Sequence, residues 1–133
     1  VNVEYVQSPK RRRAPRFPVH VPVEVVSPRG ELRAWSVNLS LTGVYCLMEK
    51  PARELERVII RMALPITMPD TRRVEKQLVE IEATVLRTEE TGDRQAAAFL
   101  FDKVPLEAEW VVGRYLLESF DGQTVSSIRR SEV

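Results

Sequence analysis

The sequence predicts an all-β domain finished by one C-terminal helix. Three observations carry this. Apolar and polar residues alternate with period two through most of the chain, turn signals separate the alternating runs, and the apolar spacing becomes helical only near the end. In VHVPVEVV (19–26), Val19, Val21, Val23 and Val25 share a face, and Pro18 and Pro22 mark an edge strand because neither can donate to a ladder. Ser27-Pro28-Arg29-Gly30 reads as a turn, and Glu31 to Asn38 as the return strand. Val44 to Met48 forms a short third strand, with a loop around Pro51 after it. Arg57 to Leu64 is the fourth, with Val58, Ile60, Met62 and Leu64 in phase. Residues 65–74 carry two prolines and read as loop. Glu75 to Thr88 is a long fifth strand facing inward through Val79, Ile81, Ala83 and Val85. Thr91-Gly92-Asp93 turns the chain, and Gln95 to Asp102 pairs back. From Leu106, the residues Trp110, Leu116, Leu117 and Phe120 fall at near-helical spacing, Glu107 and Glu109 lie in the first turn, and Asp121-Gly122 marks the stop. Six twisted antiparallel strands of this size close into a small barrel or pack as a sandwich, and the helix covers one opening or edge.

The chain has 133 residues, one domain's worth, of which 44% are hydrophobic. Its net charge is +1, so the cationic run in KRRRAPRF (10–17) is a local feature, offset by acids such as Glu54, Glu56, Glu80 and Glu82. A single cysteine, Cys46, excludes an internal disulfide framework. No apolar run reaches the length of a membrane span, and the N-terminus lacks the apolar core of a secretory signal. A cytoplasmic location is expected, which discounts Asn38-Leu39-Ser40 as a glycosylation site. The chain opens on Val, and Val1, Val3 and Tyr5 alternate with polar residues like a short strand or connector, as expected of a processed chain or a piece of a longer one. The expected division is an arm or connector over 1–9, the domain over 10–122 and a polar tail over 123–133.

Catalytic chemistry finds little to work with. The one histidine, His20, falls in the predicted edge strand and reads as a surface residue. One His and one Cys assemble no zinc site, and a serine or cysteine nucleophile would have only His20 as base. Five scattered glycines make no phosphate-binding loop, and Glu80 and Glu82 alternate outward on a strand. No catalytic residue and no cofactor or metal is expected.

Two stretches remain. Arg12-Arg13-Ala14-Pro15-Arg16 is an RxxxR pattern in a proline-containing approach to the first strand, which Pro15 keeps extended or turning. Arginine favours forked recognition of phosphate or of the guanine O6/N7 edge; the plainer reading is a solvated basic linker. Asn38-Leu39-Ser40-Leu41-Thr42-Gly43 is an NxSxxG pattern between the second and third strands. It reads equally as a tight turn, with Gly43 free to take a positive φ, or as a loop placing Asn38 and Ser40 against a ligand edge.

In this order, a basic RxxxR before the first strand and a D/NxSxxG after the second resemble the PilZ domain, a bacterial receptor module for cyclic di-GMP. Val44-Tyr45-Cys46-Leu47 is similar to the strand after that family's serine loop, Ala83-Thr84-Val85-Leu86-Arg87 to its xVxR strand, and Ala98-Phe99-Leu100-Phe101-Asp102 with the following helix to its closing elements. The similarity covers roughly residues 10 to 121. The family often has Asp at the position of Asn38 and Gly at that of Thr42.

The resemblance implies a six-stranded antiparallel β-barrel with a C-terminal helix. It assigns Arg12 and Arg16 to the phosphates and one guanine of cyclic di-GMP, Asn38 and Ser40 to the other guanine, and Gly43 to the tight loop. Arg11 and Arg13 are further cations beside the motif, with Arg11 a candidate for a second, intercalated ligand and solvation the alternative for both. The implied function is a receptor that closes its arm over the ligand and relays the signal to an unidentified protein effector, in motility or biofilm regulation. Two alternatives stand beside it. One is a PilZ-like interaction domain that binds no nucleotide. The other is a barrel for single-stranded nucleic acid, disfavoured because such proteins pair a basic groove with several stacking aromatics, whereas here the strands offer Trp35 and Tyr45 and the basic cluster sits at one end.

Overall fold

A computed structural model describes residues 14–120, and in it the alternating segments pair into one closed antiparallel barrel. The strands are β1 (Pro22–Ser27), β2 (Gly30–Leu39), β3 (Gly43–Met48), β4 (Arg57–Thr67), β5 (Val74–Thr91) and β6 (Arg94–Lys103), followed by helix α1 (Leu106–Ser119). Around the barrel their order is β1-β2-β3-β6-β5-β4. The barrel, rather than the sandwich, is therefore the way these strands bury their apolar faces. Val58, Ile60, Met62 and Leu64 of β4 and Val79, Ile81, Ala83 and Val85 of β5 all point inward and are buried, as their phase requires.

Closure corrects the edge-strand expectation for β1, which pairs with β2 on one side and β4 on the other. Pro22 is tolerated because it is the first residue of its strand, and Pro18 lies before it. β4 also runs on through Pro65 to Thr67, where a loop was expected. Its pairing with β1 ends at Arg61, so beyond that point β4 pairs with β5 alone, and a missing N–H is accommodated on a one-sided stretch. The β1–β2 turn uses Ser27, whose Oγ donates to the Gly30 carbonyl (2.9 Å) and accepts from the Arg29 N–H (3.1 Å).

Helix α1 packs on β4 and β5 through Ala108, Val111, Val112 and Leu116. The line through Leu106, Trp110 and Leu117, which makes the helical spacing visible in the sequence, faces away and is exposed. The adjacent pair Val111-Val112 supplies the buried face instead. The N–H of Thr67 donates to Glu118 (3.0 Å), and the ring of Phe120 stacks on that of Phe17 at 5.1 Å between centroids.

Residues 17–21 are laced to β2 before β1 begins. Phe17 and Leu39 exchange two backbone bonds of 2.9 Å, and Ser36 N–H donates to the Val21 carbonyl (3.0 Å). The fully buried Ser36 adds a side-chain clasp, with Oγ donating to the Val19 carbonyl and accepting from the Val21 N–H (2.8 Å). Ser36→Ala leaves both groups without that partner, and is expected to destabilise the fold by about 1–3 kcal/mol. Thermal melts of the two proteins check this, and coincident curves would mean that the backbone bonds alone hold the segment.

Candidate functional site

A β-bulge decides where Asn38 points. The β2–β3 register shifts between Ser36 and Asn38, so Ser36 and Leu39 both face the core although they are three residues apart. Unbroken alternation would turn residue 38 inward with Ser36. The bulge turns Asn38 out instead, directly across from Tyr45 of β3.

Two residues later the chain enters its tight loop. Ser40 is almost fully buried, its N–H donates to the Gly43 carbonyl (2.9 Å), and its Oγ accepts from the N–H groups of Thr42 (3.1 Å) and Gly43 (3.2 Å). The hydroxyl also lies 3.1 Å from Thr42 Oγ1. Ser40 thus builds the loop that carries it. Gly43 serves a different purpose from the one expected of it. Among the described glycines only Gly30 and Gly92 have positive φ, whereas a Cβ on Gly43 would lie 2.4 Å from the carbonyl oxygen of Phe99. Close approach of β3 to β6, not left-handed backbone, requires glycine here. Leu41 of the same loop reaches α1, its Cδ2 4.0 Å from where a Gly113 side chain would begin.

Arg16 stands one residue before the Phe17–Leu39 stitch, exposed and, among the described residues, in no ion pair. It shares a cleft of about 350 Å³ with Asn38, Ser40, Thr42, Gly43 and Tyr45, and with Leu86, Ala98 and Leu100 on the far side. A larger groove, about 660 Å³, lies between β5 and the start of α1 and contains none of these motif residues. Of the residues singled out from the sequence, the structure brings Arg16, Asn38, Ser40 and Gly43 into one cleft. Arg11, Arg12 and Arg13 lie outside the described residues, as do residues 1–9 and 123–133. His20 is exposed, with Nδ1 3.4 Å from the Ser36 carbonyl.

A family model described as the PilZ domain matches residues 10–118. This chain belongs to the PilZ family. No curated protein matches it in sequence. Among solved structures, the PilZ barrel is similar to the inhibitor of motility MotI/DgrA of Bacillus subtilis, at 15% identity and a TM-score of 0.67, over 86% of this chain and 54% of that one. It is also similar to YcgR of Escherichia coli in complex with c-di-GMP, at 18% identity and a TM-score of 0.62, over 91% of this chain and 50% of that one. The PilZ domain of CeSA from a cellulose-synthesizing bacterium matches at 23% identity and a TM-score of 0.58, over 80% of this chain and 98% of that one. The chain thus spans about half the length of MotI and YcgR but the whole of the isolated CeSA domain.

The family is a regulatory, ligand-binding one, and no catalytic family is indicated. Among the described residues no cluster of His, Cys, Asp and Glu is arranged to hold a metal, and no helix is long and apolar enough to cross a membrane. Cys46 is fully buried, and burial pushes its thiol up to about 12, out of the range of a reactive thiolate.

The motifs do not contain the cleft's remaining wall. Tyr45 donates its hydroxyl to Glu89 Oε1 (2.6 Å), and Arg87 Nε holds Glu89 Oε2 (3.0 Å). The bond to Glu89 raises the tyrosine above its ordinary pKa. The bonds from Tyr45 and then Arg87 lower that of Glu89. The sequence signals for this wall are the phase of β3, in which Tyr45 alternates outward while Val44 and Cys46 turn in, and the xVxR-like run that ends in Arg87.

Proposed function

We propose that this PilZ domain is a receptor for cyclic di-GMP, bound between the RxxxR arm and the NxSxxG loop. The support is one cleft that gathers Arg16, Asn38, Ser40 and Gly43, residues from two motifs separated by all of β1 and most of β2. YcgR, similar in fold, was solved with c-di-GMP bound. In this reading Arg12 and Arg16 take the phosphates and the face or Hoogsteen edge of one guanine, and Asn38 takes the edge of the other. Ser40 holds the loop in shape, and its hydroxyl turns from Thr42 toward the ligand. Arg11 and Arg13 add positive charge beside the arm, and Arg11 is the candidate contact for a second ligand molecule.

The energetics suffice. Charge-assisted hydrogen bonds contribute about 1.5–3 kcal/mol each. Two arginines with a few polar contacts reach roughly −8 kcal/mol, micromolar affinity, after the arm has been ordered. The receptor acts in the cytoplasm through closure of the arm over the ligand, which alters the surface offered to a protein effector. The domain extends over 10–122, with the residues before and after it as connector and tail.

Isothermal titration with cyclic di-GMP, against cyclic di-AMP and GTP as controls, tests this. Saturation by cyclic di-GMP alone is expected. A one-to-one endpoint would remove the second ligand and the role of Arg11, whereas absence of heat and of thermal stabilisation would leave a PilZ barrel that acts through protein contacts only.

A further inference from the structure

Tyr45 lies opposite Ala98 of β6, and Ala98 lies opposite Arg87 of β5. β3 and β5 are not neighbours, since β6 runs between them. The Tyr45 hydroxyl nevertheless reaches Glu89 of β5, so the two side chains together span the whole width of β6. Neighbouring strands lie about 4.8 Å apart, so the gap from β3 to β5 is roughly 10 Å. A tyrosine and a glutamate bridge that distance only when the ring lies along the sheet rather than standing away from it.

What the ring crosses fits this geometry. Ala96 and Ala98 share a register with Glu89 and Arg87 and stand on the outer side of the barrel, yet they are 2% and 5% exposed. Methyl groups are low enough to pass beneath an aromatic ring, where a larger side chain would lift it. The ring is tethered at its hydroxyl by Glu89, and Glu89 is itself held by Arg87. Tyr45 remains partly exposed, on the side that lines the cleft with Arg16 and Asn38. An aromatic plane backed by methyl groups, pinned at its far end and open toward a cationic cleft, is suited to stacking a nucleobase, because every base has a π-face.

We propose that Tyr45 is a purine-stacking platform that receives one guanine of the bound dinucleotide, with Glu89 and Arg87 as positioning residues that keep its ring flat. The inference rests on the cyclic di-GMP reading and adds to it a subsite belonging to neither motif. The loop residues address the edge of a base, and Tyr45 addresses its face.

The test is a titration of cyclic di-GMP into the parent protein and the variants Arg16→Ala, Tyr45→Ala, Tyr45→Phe and Glu89→Gln, combined with proton NMR of the bound ligand. Tyr45→Ala is expected to weaken binding about tenfold, the lower part of the range for loss of one base–aromatic stack. Tyr45→Phe keeps the ring and loses only the tether, so binding falls a few-fold, whereas in Glu89→Gln the amide oxygen still accepts from the Tyr45 hydroxyl and binding stays near that of the parent. In the parent and Tyr45→Phe proteins the ring current moves one guanine H8 signal upfield, and in Tyr45→Ala it does not. Thermal melts confirm that each variant is folded. If the parent binds, Arg16→Ala does not, and Tyr45→Ala keeps both affinity and the shifted H8 signal, the platform is wrong and the receptor reading stands. If the parent itself fails to bind, the receptor reading falls, and the platform with it.

Discussion

Replacing Arg12 and Arg16 together by alanine is expected to lower affinity for cyclic di-GMP by more than about 100-fold and to leave the melting temperature of the unliganded protein where it was. Each guanidinium–phosphate or guanidinium–guanine contact is worth about 1.5–3 kcal/mol, and every 1.4 kcal/mol is a factor of ten. Losing two such contacts therefore costs at least about two decades. The unchanged stability follows from the surroundings of Arg16, which is exposed and takes part in no ion pair among the described residues. Titration calorimetry and a thermal melt on the same preparation separate the two effects. Undiminished binding by the double variant would remove the arm from the site, and a large fall in melting temperature would mean that the arginines support the barrel.

Gly43→Ala is expected to have the largest effect on stability of any single methyl added to the NxSxxG loop. The new Cβ would meet the Phe99 carbonyl oxygen at 2.4 Å, and that oxygen belongs to a strand paired with β3 on one side and β5 on the other. Neither backbone has room to withdraw, so separating them strains the β3–β6 ladder and costs about 3 kcal/mol. For a chain of this length the midpoint falls by roughly 10 °C. Urea or thermal unfolding measures the loss. The same substitution also weakens ligand binding, because the Gly43 N–H and carbonyl both bond to Ser40 and any shift of β3 moves Asn38 with it. A melt equal to that of the parent protein would show that β3 and β6 separate at little cost.

Much of the fold can be read in the chain because period-two alternation reports burial directly. Val58, Ile60, Met62 and Leu64 are in phase in the sequence and inside in the structure. Closure is different. A barrel and a sandwich bury the same faces, so alternation leaves both open, and only the resemblance carried by the two motifs favours the barrel. Pro65 misleads for a related reason: a proline reports the missing donor, not whether the neighbouring position on that side has a partner strand. Bulges escape altogether, since an inserted residue such as Val37 or Leu86 changes no composition and marks no turn. On the helix, spacing draws attention to Trp110 and Leu117, while burial falls on the Val111-Val112 pair beside them.

The cleft divides along the same line. Arg16, Asn38, Ser40 and Gly43 are legible because each belongs to a short pattern with local chemistry. Tyr45 is legible only as an aromatic suited to stacking; its bond to Glu89, 44 positions away, and its place across β6 from that residue come only with strand pairing. Such a site exists only after the strands have paired.

The stacked rings of Phe17 and Phe120 have a consequence for how the barrel can be built into larger assemblies. With ring centroids 5.1 Å apart, Phe17 and Phe120 hold the two ends of the described domain side by side. A module with a shared threshold of this kind can be spliced between two neighbours without separating them. Because Arg16 directly precedes Phe17, the cleft it lines opens beside both ends of the described domain.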